Sequence, residues 1–127
     1  MDPSQLTNFC DRWLAAWSGN RPDELITFYC TDALYRDPAR PHGLRGDEIL
    51  PYFRRLLARN PEWEWRRAEL WPIENGFMLK WKAKIPVGVQ IVEEQGLDIV
   101  VFRDGKIARN EVFFDRAQLV AAATAGG

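Results

Sequence analysis

The apolar positions of this chain fall into two periods, and the change between them divides the sequence. Over residues 4–18, Leu6, Phe9, Cys10, Trp13, Leu14 and Trp17 recur at three- and four-residue spacing, which predicts an amphipathic helix. Ser4, after Pro3, is its expected N-cap and Gly19-Asn20 its end. Arg21-Pro22-Asp23 opens a second helix, about 23–30, with Leu25, Ile26, Phe28 and Tyr29 on its apolar face. Thr31-Asp32 breaks it, and residues 33–36 read as a short strand. A loop containing Pro38, Pro41, Gly43 and Gly46 comes next, until Asp47 caps a third helix over about 47–59. That helix turns Ile49, Leu50, Tyr52, Phe53, Leu56 and Leu57 inward. Its Pro51 lies in the first turn, where a missing N–H costs little.

From Glu62 onward the period is two. Glu62–Trp71 alternates roughly, with Trp63, Trp65 and Trp71 on one side. After a turn at Pro72–Gly76, residues Phe77, Leu79, Trp81, Ala83 and Ile85 alternate with Met78, Lys80, Lys82 and Lys84, the pattern of a half-buried strand with lysines toward water. Val89–Phe102 predicts a long strand bulged at Gln95-Gly96. Arg103–Lys106 carries the Asp-Gly of a tight hairpin, Ile107–Asp115 forms the last strand, and Ala117–Ala123 a short closing helix.

Helices followed by consecutive antiparallel strands imply an α+β fold. A flat sheet with helices on one face would leave no cavity; a curved one wrapped around the N-terminal helices would enclose a cone-shaped one. The six Trp, seven Phe and three Tyr favour the cone. At 127 residues, one domain over 1–127 is expected. A net charge of −1 offers nothing to nucleic acid or an anionic membrane surface. The start of the chain lacks the basic and apolar regions of a secretion signal. No apolar stretch nears the roughly 20 residues of a membrane span. A cytoplasmic protein is therefore expected. Cys10 and Cys30 fit no metal or redox spacing and read as buried free thiols.

Two carboxylates stand out. Pro38 biases Asp37 to an extended backbone at the start of the Pro/Gly loop, between aromatic flanks. Asp98 lies in Gly96–Phe102, a run apolar on both faces, and shares its face with Val100 and Phe102; burial there would favour its neutral form. The only histidine, His42, lies in the loop and reads as exposed. On the last strand Asn110, Val112 and Phe114 share one face, while Arg109, Glu111 and Phe113 share the other. Nucleophile–histidine pairs, phosphate-binding glycine loops and metal-ligand spacings are all missing from the sequence, so neither cofactor nor metal is expected.

The order of elements and several stretches resemble the nuclear-transport-factor-2-like superfamily, in particular its SnoaL-like and ketosteroid-isomerase-like branch. The stretches are Arg12–Trp17, Phe28–Pro38, Leu44–Ile49, and Phe102–Ile107 running on to Phe113-Phe114-Asp115. The resemblance implies an α-α-β-α-β-β-β-β cone with a curved antiparallel sheet. Asp37-Pro38 is similar to the Asp-Pro that supplies the base in steroid isomerases of this type. Asp98, four residues before Phe102, is similar to their oxyanion-binding aspartate, and Trp13 stands where they carry a tyrosine on helix one. The resemblance also implies a small apolar ligand, held by Trp13, Trp17, Tyr35, Phe53, Val100, Phe102, Asn110, Val112 and Phe114. Asp37 and Asp98 would then act by proton abstraction next to a carbonyl, as in an isomerase or polyketide cyclase. A non-catalytic pocket for an apolar metabolite is the alternative. A homodimer formed sheet to sheet is the assembly that the branch implies.

Overall fold

The computed structural model describes residues 1–126, and the helical and alternating halves of the sequence fold as such. Helix α1 (Pro3–Ser18) begins at Asp2 rather than Ser4. The Asp2 carboxylate accepts the Gln5 N–H while the Gln5 side chain accepts the Asp2 N–H, so the two backbone donors are satisfied reciprocally. Its buried face holds Leu6, Phe9, Cys10, Trp13, Leu14 and Trp17, as the spacing predicts. Helix α2 (Pro22–Leu25) is a single turn, continued by a tight turn over Ile26–Phe28. Tyr29 and Cys30, expected in that helix, instead begin strand β1 (Tyr29–Asp37), because Tyr29 pairs with Ile107 across the sheet. Cys30 is consequently half-buried, whereas Cys10 is fully enclosed.

The Pro/Gly loop contains a strand that the composition hides, β2 (Arg40–Arg45). It lies at the sheet's edge and pairs only with β1, and an edge position tolerates Pro41 because no ladder bond is lost on the open side. A turn over Gly46–Glu48 leads into helix α3 (Ile49–Arg59), which buries Ile49, Tyr52, Phe53 and Leu57. Strands β3 (Glu64–Ile73), β4 (Gly76–Val87), β5 (Gln90–Arg103) and β6 (Lys106–Phe113) come after it, and helix α4 (Ala117–Gly126) ends the described chain.

The six strands form one curved, unclosed sheet in the order β2-β1-β6-β5-β4-β3. The α+β class and the curved sheet around the helices are as expected, with one correction: β1 runs parallel to β6, so the sheet is mixed. A parallel neighbour requires a long crossover, here residues 38–105, and no local pattern announces it. On β4 the expected alternation holds, with Phe77, Leu79, Trp81, Ala83 and Ile85 buried and the lysines on the outer face.

The bulge expected at Gln95-Gly96 is absent. β5 pairs with β4 without interruption from Gln90 to Val101, and the register shifts only at Val101/Phe102 against β6. Gly96 serves packing instead: a Cβ there would stand 2.4 Å from the Trp81 ring and 2.7 Å from the Phe113 carbonyl oxygen. Gly96→Ala should therefore lower the unfolding free energy in urea by about 1–3 kcal/mol, the usual cost of overpacking. An unchanged urea midpoint would show that the Trp81 ring yields freely.

Candidate active site

Tyr35 and Asp37, two residues apart on β1, project from the same face of the strand toward α3. The Tyr35 hydroxyl donates to Asp37 Oδ2 at 2.9 Å, and the Tyr52 hydroxyl, arriving from α3, donates to the same oxygen at 2.6 Å. The Ala39 N–H closes the β1–β2 turn onto Asp37 Oδ1 at 2.8 Å. Both oxygens of this buried carboxylate are thus occupied. Burial pushes both tyrosine hydroxyls up, and their bonds to Asp37 add to the effect.

Asp98 is held differently. It sits mid-sheet on β5, between Leu79 of β4 and Val112 of β6, and is almost fully enclosed. Its Oδ1 has no hydrogen-bond partner among the described residues. Burial raises its pKa to about 8; the Trp81 and Asn110 side chains work against that rise, and the charge of Asp37 adds to it.

The two carboxylates share one cavity of about 190 Å³. Leu14 and Trp17 of α1, Tyr52 and Leu56 of α3, and Trp63, Trp65, Trp81, Val112 and Phe114 from the sheet side form its apolar wall, and Pro38, Ala39 and Arg116 complete it. The rings lock edge to face: Trp65 on Trp81 at 4.6 Å, Trp63 on Trp65 at 5.3 Å and Phe114 on Trp81 at 5.5 Å. Ser18, at the end of α1, fixes β3 beside the helix through its hydroxyl, which accepts the Trp65 N–H at 2.8 Å. A larger groove of about 460 Å³, lined by Glu64, Arg66, Lys82, Lys84 and Glu93 among others, is a mixed-charge surface without a buried reactive group.

Of the residues singled out from sequence, Trp17, Tyr35, Asp37, Asp98, Val112 and Phe114 line the cavity. Trp13, Phe53, Val100, Phe102 and Asn110 do not. Trp13 lies in the core and donates its indole N–H to the Tyr29 hydroxyl at 3.2 Å, which in turn donates to Asn110 Oδ1 at 2.8 Å. Phe53 backs the wall, stacked edge-on against Trp17 and Tyr35. Val100 is enclosed in the core, and Phe102 packs on Phe9 and Phe77 away from the carboxylates. His42 is exposed on β2. Sequence reading missed Tyr52, Trp63, Trp65, Trp81 and Arg116 as wall residues. The helical and alternating patterns mark the aromatics as inward, but cannot separate a core ring from a cavity ring.

The family model described as SnoaL-like domain matches residues 10–110, and the chain belongs to that family. No curated protein matches the sequence. Similar solved structures include a proposed SnoaL-like polyketide cyclase from a Jannaschia species, 13% identical, TM-score 0.83, covering 98% of this chain and 96% of the other. A Catenulispora acidiphila protein with a ketosteroid isomerase-like fold, in complex with trimethylamine, is 17% identical, TM-score 0.80, covering 91% and 92%. TerC, co-crystallised with polyporic acid, is 11% identical, TM-score 0.79, covering 93% and 97%. At these identities the likeness concerns the fold. Among the described residues, no helix is long and apolar enough to cross a membrane.

The state of Asp98 is measurable through stability. An unfolded carboxyl titrates near about 4, so the folded state binds this proton more tightly than the unfolded chain does. Asp98 therefore contributes stability that is full below that value and is lost as the pH rises through about 8. Urea midpoints of the wild type should fall across this window, and Asp98→Asn should flatten the fall. Equal slopes in the two proteins would refute a neutral buried carboxyl.

Proposed function

We propose that this protein binds a small, flat, apolar carbonyl compound in the cavity and moves a proton on the carbon beside that carbonyl. One observation carries the reading. The buried side-chain polar atoms that lack a partner among the described residues are Asp98 Oδ1, Trp63 Nε1 and Trp65 Nε1, and all three belong to residues lining this cavity. Buried polar groups are ordinarily satisfied, so three exceptions around one apolar space call for polar atoms on a ligand.

In the proposed reaction Asp37 takes a proton from the carbon next to the carbonyl, the electron pair of that C–H bond forms a C=C bond, and the π pair of the C=O bond moves onto the oxygen. Protonated Asp98 donates a hydrogen bond to the developing enolate; this is the logic of ketosteroid isomerase, a standard case of a carboxylic acid kept neutral by an apolar site. Return of the proton to another carbon gives an isomerase; attack of the enolate carbon on a second carbonyl gives a cyclase. The relatives crystallised with trimethylamine and polyporic acid, and the proposed polyketide cyclase, support a small-molecule site in this fold.

A second reading, an apolar-metabolite carrier, is favoured by the Asp37 hydrogen bonds, since one must be surrendered or shared when that carboxylate accepts a proton. Deuterium exchange next to the carbonyl, across a screen of small aromatic ketones and lactones, separates the two. Asp37→Asn should reduce exchange by at least about a hundredfold while leaving ligand affinity nearly intact. Binding without exchange in the wild type would leave only the carrier.

The proposal extends to assembly. On the outer sheet face Leu97 and Phe113 stand opposite each other, 39% and 52% exposed, beside Ile99 and within reach of the Arg109–Glu111 pair at 3.9 Å. A second copy packed sheet to sheet would cover them. Light scattering at micromolar concentration should give twice the mass of one chain, and Phe113→Asp should halve it; a wild-type monomer ends this part of the proposal.

A further inference from the structure

The cavity wall contains one cation, Arg116, and a second, Arg40, stands at its rim. Arg40 comes directly after Ala39, which lines the cavity, and its guanidinium lies 5.0 Å from the centre of the Tyr52 ring while one N–H donates to the Ala39 carbonyl at 3.0 Å. The ring and that one bond fix the head where it is, with its remaining N–H groups free of any acceptor among the described residues. Arg116 precedes α4, and its side chain makes neither a hydrogen bond nor an ion pair among the described residues. The ion-paired arginines, at positions 21, 54, 67, 103 and 109, meet carboxylates on the surface instead. Both guanidiniums at the mouth are near enough to favour the ionised form of the Tyr52 hydroxyl, against burial and its bond to Asp37, which push it up.

Positive charge is in surplus around this mouth. The acidic wall residues are Asp37, with both oxygens occupied by uncharged donors, and Asp98, deep in the sheet. Neither reaches a guanidinium within ion-pair distance. Two forked donors at the entrance of an otherwise apolar space suit a planar anion, which each can meet with parallel N–H bonds.

Resting on the reading of the cavity as a ligand site, we infer that the ligand is an aromatic or similarly flat keto acid, whose carboxylate is read at the mouth by Arg116 and Arg40 while its ketone reaches Asp98. The anion makes Arg116 and Arg40 specificity determinants and leaves Asp37 and Asp98 the chemistry.

Isothermal titration calorimetry with para-acetylbenzoate and its neutral methyl ester tests this, paired with deuterium exchange of the acetyl methyl group. The wild type should bind the acid about tenfold more tightly than the ester at low salt, with the advantage shrinking as salt is added. The R40Q/R116Q double variant, altered only at exposed positions, should lose the acid's tenfold advantage and bind both compounds alike. If Arg116 merely balances Asp37, substitution will shift acid and ester together and the proposal fails. Equal wild-type affinities with exchange intact overturn the anion site and leave the proton-transfer reading standing. An acid preference abolished by the substitutions, without exchange, upholds the anion site and ends the proton-transfer reading. Binding of neither compound overturns both.

Discussion

A carboxylate enters an apolar interior only where donors meet it, and the three donors on Asp37 bind one end of this fold together. Tyr35 comes from the same strand, Ala39 from the turn beyond it, and Tyr52 from a helix that shares no backbone bond with the sheet. The Tyr52 bond is the tie between α3 and β1 at this end. It holds helix and strand at the separation that a tyrosine and an aspartate span, where aliphatic side chains would have closed into solid core. Asp98 has no comparable set of donors and rests against an indole, an amide and apolar neighbours. The two acids therefore face one space in opposite electrostatic conditions, and the fold itself creates that asymmetry.

Trp13 illustrates how the polar interior is distributed. Its indole N–H is engaged by Tyr29, and Tyr29 passes the connection to Asn110, next to Asp98 in the sheet. Tyr29 can do this only as the first residue of β1, where its pairing with β6 brings it across from Asn110's strand. The same parallel pairing that departs from an all-antiparallel sheet thus builds the polar support beneath the deeper carboxylate.

Elements that close on themselves were legible in the sequence. The α1 stripe, the β4 alternation and the Asp104-Gly105 turn each state their own environment, because their neighbours lie a few residues away. β2 and the β1–β6 ladder were not legible: Pro41 argues against a strand unless the edge position is known, and Tyr29 keeps helical spacing until Ile107 pairs with it. Asp37 was legible as a cavity-lining residue through Pro38 and its aromatic flanks, and Asp98 through the apolar run around it. Tyr52 was not, since the period that places it inward is equally that of Phe53, and only the folded arrangement gives its hydroxyl a partner.

The crowding of indoles around the cavity has an optical consequence. Trp17, Trp63, Trp65 and Trp81 line it, four of the six tryptophans; Trp65 meets Trp63 and Trp81 edge to face and Trp17 at a tilt. Excitation absorbed by any of them migrates readily among the rest, so the intrinsic emission of this protein is dominated by one small region rather than averaged over the fold. A flat molecule sliding between these rings should quench most of that light at once, and its arrival could be timed in a stopped-flow mixer without attaching any label.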